Sequence, residues 1–126
     1  MSEPLRGVVV SHAGLAQALV DAVARITGRA EGLVAVSNEG CDRQVLERRV
    51  AEAVGDGPAV VFVDLPSGSC LLASARYLRT NPGVAVVAGV NLPMLVDFVY
   101  HRDAAAAAAA ERAVATGVRS VKVVGT

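Results

Sequence analysis

The residue best placed to do chemistry is a histidine at the end of the first apolar run. His12 follows Gly7-Val8-Val9-Val10-Ser11 and precedes Ala13-Gly14, just before a helical pattern opens at Leu15. A second apolar run, Ala59-Val60-Val61-Phe62-Val63, ends in a carboxylate, Asp64, and then in the loop Leu65-Pro66-Ser67-Gly68-Ser69. A free imidazole titrates near pH ~6.5, so at neutral pH it offers a nucleophilic ring nitrogen. Such a ring can carry a phosphoryl group if a carboxylate holds one nitrogen and leaves the lone pair of the other free. Asp64 is the right type of residue for that task. The incoming oxygens also need donors. Ser67-Gly68-Ser69-Cys70, at the start of a helix, offers backbone N–H groups and two hydroxyls where the helix dipole favours anions. Taken singly, each of these residues is also an ordinary loop, turn or cap residue. Their joint position is what points to phosphoryl transfer.

The elements that must position them alternate short Val-rich runs with longer helical stretches. That alternation predicts an α/β fold with a doubly wound, mainly parallel sheet and helices on both faces. The first strand covers about residues 6 to 11. Leu15, Leu19, Val20, Val23 and Ile26 then recur at helical spacing, and Gly28 is a stop signal. Gly32-Leu33-Val34-Ala35-Val36 reads as a second strand, and Asp42 caps a helix with Val45, Leu46, Val50 and Val54 inward. Gly55-Asp56-Gly57-Pro58 turns into the third strand. Leu71, Leu72, Ala75, Tyr77 and Leu78 suggest the next helix, followed by a strand over Val84-Ala85-Val86-Val87-Ala88. Asn91-Leu92-Pro93 starts another, with proline in the first turn. The alanines Ala104 to Ala110 form a last helix, with Asp103 as its cap and Gly117 as its end. Ser120-Val121-Lys122-Val123-Val124 has strand character. In a strand order of 2-1-3-4, strands one and three are neighbours at the switch point, where ligands bind beyond the carboxyl ends. Those ends carry His12 and Asp64.

Composition narrows the function classes. The 126 residues fit a single domain, 1–126, able to bury roughly two-thirds of the surface of its unfolded chain. Hydrophobic residues make up 53% but aromatics only 3%, so the core must be aliphatic. Twelve Lys+Arg balance twelve Asp+Glu with no basic tract, which argues against nucleic acid or an anionic membrane surface as partner. No apolar stretch approaches the roughly 20 residues that span a bilayer, and Met1-Ser2-Glu3-Pro4 lacks the features of a signal peptide. Cys41 and Cys70 are read as reduced thiols of a cytoplasmic protein. His101, beside Arg102, reads as a solvated residue late in a helix. A metal site built from His12, Cys41, Cys70 and His101 is not expected, because no paired ligand spacing appears.

Four segments, in order, resemble the IIA domains of the mannose family of the bacterial sugar phosphotransferase system. They are Val8-Val9-Val10-Ser11-His12-Ala13-Gly14-Leu15-Ala16, Val61-Phe62-Val63-Asp64-Leu65-Pro66-Ser67-Gly68-Ser69, Val87-Ala88-Gly89-Val90-Asn91-Leu92-Pro93-Met94-Leu95 and Ala115-Thr116-Gly117-Val118-Arg119. The Gly-Val-Asn-Leu-Pro-Met-Leu stretch is the most specific of them. The resemblance implies that His12 accepts a phosphoryl group on Nε2 from the phosphocarrier protein HPr and passes it to a IIB partner. It implies that Asp64 orients the ring and that Ser69 helps bind the phosphoryl oxygens. It also implies a homodimer in which a carboxyl-terminal edge strand, here residues 119 to 124, is exchanged between subunits. No metal or nucleotide cofactor is implied, because the donor is already a phosphohistidine, and no P-loop pattern suggests direct use of ATP.

The chain departs from the family pattern in three places. Where the family usually has Gly-Gly-Ser-Pro, it has Ser67-Gly68-Ser69-Cys70. Replacing the first glycine restricts the loop and adds a hydroxyl, while losing the proline restores an N–H at Cys70. Ala13 stands where glycine is common beside the histidine. None of these changes removes a reacting group. Two other readings stay open: a regulatory module without an attached IIB domain, whose phosphorylation alters a surface read by another protein, and the phosphotransfer subunit of dihydroxyacetone kinase.

Overall fold

A computed structural model describes residues 4–125. Strands β1 (Arg6–Ser11), β2 (Leu33–Ser37), β3 (Ala59–Val63) and β4 (Val84–Ala88) alternate with helices α1 (Leu15–Thr27), α2 (Arg43–Val54) and α3 (Ser69–Arg79). Helices α4 (Leu92–Val99) and α5 (Ala106–Arg119) follow. All strand pairings are parallel, and the order is β2-β1-β3-β4, as the sequence reading requires. The two central strands are continuous apolar runs because helices cover both faces of the sheet. Every residue of β3, and all of β1 after Arg6, is buried, whereas β2 and β4 at the edges are only partly so.

Alternation along the strands sorts the core into two layers. Val9, Val60, Phe62 and Val87 face α1, α4 and α5, where they meet Val23, Leu95, Phe98 and Ala113. Val8, Val10, Val61 and Val63 face α2 and α3, against Leu46, Val50, Val54, Cys70 and Ala73. The two phenylalanines of the chain, Phe62 and Phe98, meet edge to face with centroids 5.3 Å apart. Gly7 makes room for that contact, since a Cβ there would lie 2.6 Å from the Phe98 ring.

Local signals account for several helix boundaries. Gly28 ends α1 in the left-handed conformation at φ 70°, and the Asp42 carboxylate accepts from the Val45 N–H at the start of α2. Asn91 caps α4 by accepting from the Met94 N–H and also donates its amide to the Gly117 carbonyl, 3.1 Å away. The most family-like stretch therefore packs on the fourth resembling segment. On α1, Ala16 and Val23 are buried with Leu19 and Val20 beside them. Leu15 and Ile26, expected inward, are exposed. They lie about three turns apart on the same flank of that helix.

The end of the chain differs from expectation at three points. Helix α5 starts at Ala106 with Ala105 in the cap position and no side-chain cap, so Asp103 falls in the preceding turn. Alanine favours helix wherever it sits and does not mark where helix begins. Gly117 does not end α5, which runs on to Arg119; it is a point of close approach, where a Cβ would stand 2.5 Å from Met94. The strand character of 120–124 is not realised within the one chain. The Ser120 hydroxyl instead donates to the Thr116 carbonyl at the end of α5, and residues 121–125 follow as exposed, irregular chain.

Candidate functional site

The site forms where β1 and β3 leave the sheet side by side. Val10 pairs with Val63, and the Asp64 N–H donates to the Val10 carbonyl at 3.2 Å, extending the ladder by one residue. That brings the Asp64 side chain beside His12, the residue just past the end of β1. One carboxylate oxygen, Oδ2, then accepts both the backbone N–H of His12 at 2.9 Å and its ring Nδ1 at 2.8 Å. The His12 side chain is 44% exposed and that of Asp64 only 9%.

This contact dictates the tautomer. Burial alone raises the pKa of the Asp64 carboxyl, but the backbone and ring N–H groups of His12 outweigh it and hold the group below its ordinary value. Asp64 is therefore ionised at neutral pH and accepts only, so Nδ1 must carry the proton. The lone pair is left on Nε2, which has no hydrogen-bond partner among the described residues. The other carboxylate oxygen, Oδ1, is buried and equally without one.

Three short side chains secure the turn after His12. Ala13 is left-handed at φ 51°, a conformation that costs an L-residue about 1–2 kcal/mol. Its carbonyl accepts from the Ser37 hydroxyl at 2.8 Å, and its N–H donates to Asn38 Oδ1 at 3.2 Å. Ser11, fully buried, donates to the His12 carbonyl and accepts from the Ala16 N–H at 2.7 Å, so it caps α1 from within β1. Ser11, Ser37 and Asn38 escaped the sequence reading. A signal was available for the last two: in this strand order the end of β2 borders the end of β1.

The expected phosphate loop lies against the same ring. Gly68 precedes α3 at φ 92° and ψ −171°, backbone open essentially to glycine alone. A Cβ on Gly68 would sit 3.9 Å from His12 Cε1, so the loop passes directly beside the imidazole. The first N–H groups of α3, on Ser69, Cys70 and Leu71, have no acceptor within the helix, and the positive end of its dipole faces the site. The Cys70 thiol is buried with Sγ 3.9 Å from His12 Nδ1. Burial, assisted by the Asp64 charge, raises its pKa. Ser67 and Ser69 are exposed, and among the described residues their hydroxyls make no hydrogen bond to His12.

Of the residues singled out from sequence, His12, Asp64 and Cys70 come together, with their donor atoms within 4.8 Å of one another. Cys41 borders an adjoining hollow of about 230 Å³ lined also by Asn38, Gly68 and Ser69, and lies near enough to Cys70 to act on that thiol electrostatically. His101 lies at the opposite end of the sheet, where the neighbouring Arg102 carbonyl accepts from Leu5 before β1, and its Nδ1 donates to the Asp97 carbonyl. The four residues weighed as a metal site are thus not assembled. A larger apolar groove of about 530 Å³, lined by Ile26, Leu92, Pro93, Val96 and Tyr100, also lies apart from His12. No described helix is long and apolar enough to cross a membrane.

Comparison with known proteins agrees with this fold. In fold the chain is similar to phosphotransferase system component EIIA from Streptococcus agalactiae, at 17% identity and a TM-score of 0.87, with 94% of this chain and 96% of that one covered. It is similar to the mannose/sorbose specific IIA subunit of the phosphotransferase system from Enterococcus faecalis, at 19% identity and a TM-score of 0.85, over 98% and 97% of the two chains. A third likeness is to the PTS IIA protein associated with the fucose utilization operon of Streptococcus pneumoniae, at 20% identity and a TM-score of 0.78, over 98% and 96%. No curated protein matches by sequence. The sequence does match, over residues 7–115, the family described as the PTS system fructose IIA component. That span holds the sheet from Gly7 onward, His12, Asp64 and the loop before α3, so the chain belongs to the EIIA-man family of phosphotransferase system IIA components.

Proposed function

We propose that the chain, acting as one domain in the cytoplasm, is a phosphoryl relay in sugar uptake. It accepts phosphate on His12 from the phosphocarrier HPr and delivers it to a histidine of a IIB partner. The observation that carries this reading is the double contact between His12 and Asp64, which leaves Nε2 as the free nucleophile. Nε2 attacks phosphorus, the N–P bond of the donor phosphohistidine breaks, and the ring gains positive charge that Asp64 stabilises. The transferred oxygens meet the N–H groups at the start of α3. Delivery to IIB is the same step in reverse, with a new acceptor.

A protein donor fits the surroundings of the site. Leu15, Leu65 and Leu72 are all exposed, and they stand on the three segments that carry His12, Asp64 and Cys70. Together they offer apolar surface for a docking protein beside a phosphoacceptor that is itself half-exposed. The proposal extends to a homodimer. Among the described residues β4 pairs with β3 alone, leaving an outer edge beside Val86, Ala88 and Val114. Val121 and Val124 of the carboxyl-terminal segment are exposed, and residues 119–124 of a second copy would complete that edge.

The experiment is phosphorylation by purified enzyme I, HPr and phosphoenolpyruvate, followed by transfer to a IIB protein. An acid-labile phosphate on His12 that IIB removes supports the relay. Label elsewhere on the chain contradicts it.

A further inference from the structure

We propose that the same three side chains form a capture site for a thiophilic divalent cation, with zinc(II) as its occupant. His12 Nδ1, Asp64 and Cys70 Sγ are the ligands, and the bound ion holds His12 in a form that accepts no phosphate. The binding claim stands by itself; the inhibitory one rests on the relay reading above.

Two observations carry the site. The first is the donor set, one nitrogen, one oxygen and one sulfur, all within 4.8 Å of one another. Zinc takes this mixture in tetrahedral geometry at about 2.0–2.3 Å from each ligand, which places neighbouring donors roughly 3.3–3.7 Å apart. The separations found are 2.8 Å from Nδ1 to Asp64 Oδ2 and 3.9 Å from Nδ1 to Cys70 Sγ. The first must widen by about half an ångström and the second close by less than that, while the carboxylate and the thiolate, at most 4.8 Å apart, must close by up to about an ångström. The second observation is Asp64 Oδ1, buried in a side chain only 9% exposed and without a hydrogen-bond partner among the described residues. A buried carboxylate oxygen with no donor is an acceptor for a cation.

The proton balance explains the inhibition. Coordination displaces the thiol proton of Cys70 to solvent. The ring proton leaves Nδ1, which now binds metal, and Nε2 takes up a proton from water, so the imidazole stays neutral. Metallated at Nδ1 and protonated at Nε2, His12 has no lone pair for phosphorus. The three protein ligands leave a fourth position for water on the half-exposed side of the ring. Relay and metal thus compete for one nitrogen pair, and Cys70, which replaces the proline of the family pattern, is what makes the competition possible.

The test is titration of the full chain with cobalt(II) and zinc(II), following the sulfur-to-cobalt charge-transfer band and the heat of zinc binding. The expected result is one ion per chain and a band lost in Cys70→Ser but kept in Cys41→Ser. Asp64→Asn should weaken binding by about tenfold or more. Absence of the band in the wild-type chain overturns the site whatever the variants do, as does a band that depends on Cys41 alone. A second arm uses purified phospho-HPr as donor. Zinc at saturating concentration should stop phosphorylation and a chelator should restore it. Full phosphorylation of the zinc-loaded chain overturns the inhibitory claim. Metal binding combined with no phosphorylation of the metal-free chain overturns the relay reading and leaves the site standing.

Discussion

A single oxygen of Asp64 receives two N–H groups of His12, one from the backbone at 2.9 Å and one from the ring at 2.8 Å. The backbone contact fixes where the ring begins and the ring contact fixes which nitrogen is protonated. Position and tautomer of the His12 ring are thereby set by one carboxylate oxygen.

Replacing Asp64 by Asn keeps the shape but supplies an amide that can donate to Nδ1, which favours the tautomer with its proton on Nε2. Phosphorylation of Asp64→Asn should slow by roughly 10²–10⁴-fold with the fold retained. Nitrogen-15 shifts of the His12 ring should report the change of tautomer, which a purely structural role for Asp64 would not produce.

Acid stability should follow the same contact. The folded pKa of Asp64 lies below its ordinary value near 3.8, so the unfolded chain binds the proton more readily. The pair's contribution to stability is therefore fully present above that value and is lost as pH falls through the depressed folded pKa. Denaturant midpoints measured from neutral pH down through this range should fall more steeply for the wild type than for Asp64→Asn.

Gly68→Ala tests the backbone of the loop rather than its space. The added Cβ would find only ordinary contact with His12, 3.9 Å away, but φ 92° with ψ −171° is strained for alanine. Urea titration should show a loss of about 1–3 kcal/mol, and phosphorylation should slow as the N–H groups of α3 shift.

Gly117→Ala makes the opposite test, of space within a helix. Helical backbone suits alanine, yet its Cβ would fall 2.5 Å from Met94 and 3.0 Å from Asn91 Oδ1. The clash should cost about 1–3 kcal/mol by denaturant unfolding. A stabilised variant would refute this account of why glycine stands inside α5.

Much of this was legible in the sequence, for identifiable reasons. The central strands announce themselves because burial on both faces makes them unbroken apolar runs, and Gly28, Asp42 and Asn91 are local signals whose meaning does not depend on distant residues. The meeting of His12 with Asp64 was legible only through the strand order, which chain alternation suggests but does not prove. What stayed hidden depended on tertiary context. Gly117 resembles a helix stop and is instead a contact with Met94, and the alanines before α5 favour helix without marking where it begins. Ser11, Ser37 and Asn38 have no chemistry of their own; the strand order brings the last two near His12, and the folded turn shows the hydrogen bonds by which all three hold Ala13 and His12 in place.

The central claim is tested most directly by the intact mass of the chain after incubation with phosphoenolpyruvate, enzyme I and HPr. The account predicts a gain of one acid-labile phosphate in the wild type and none in His12→Ala, with both proteins folded by circular dichroism. Labelling that persists in His12→Ala, or a wild type that gains nothing from a competent HPr, would contradict it.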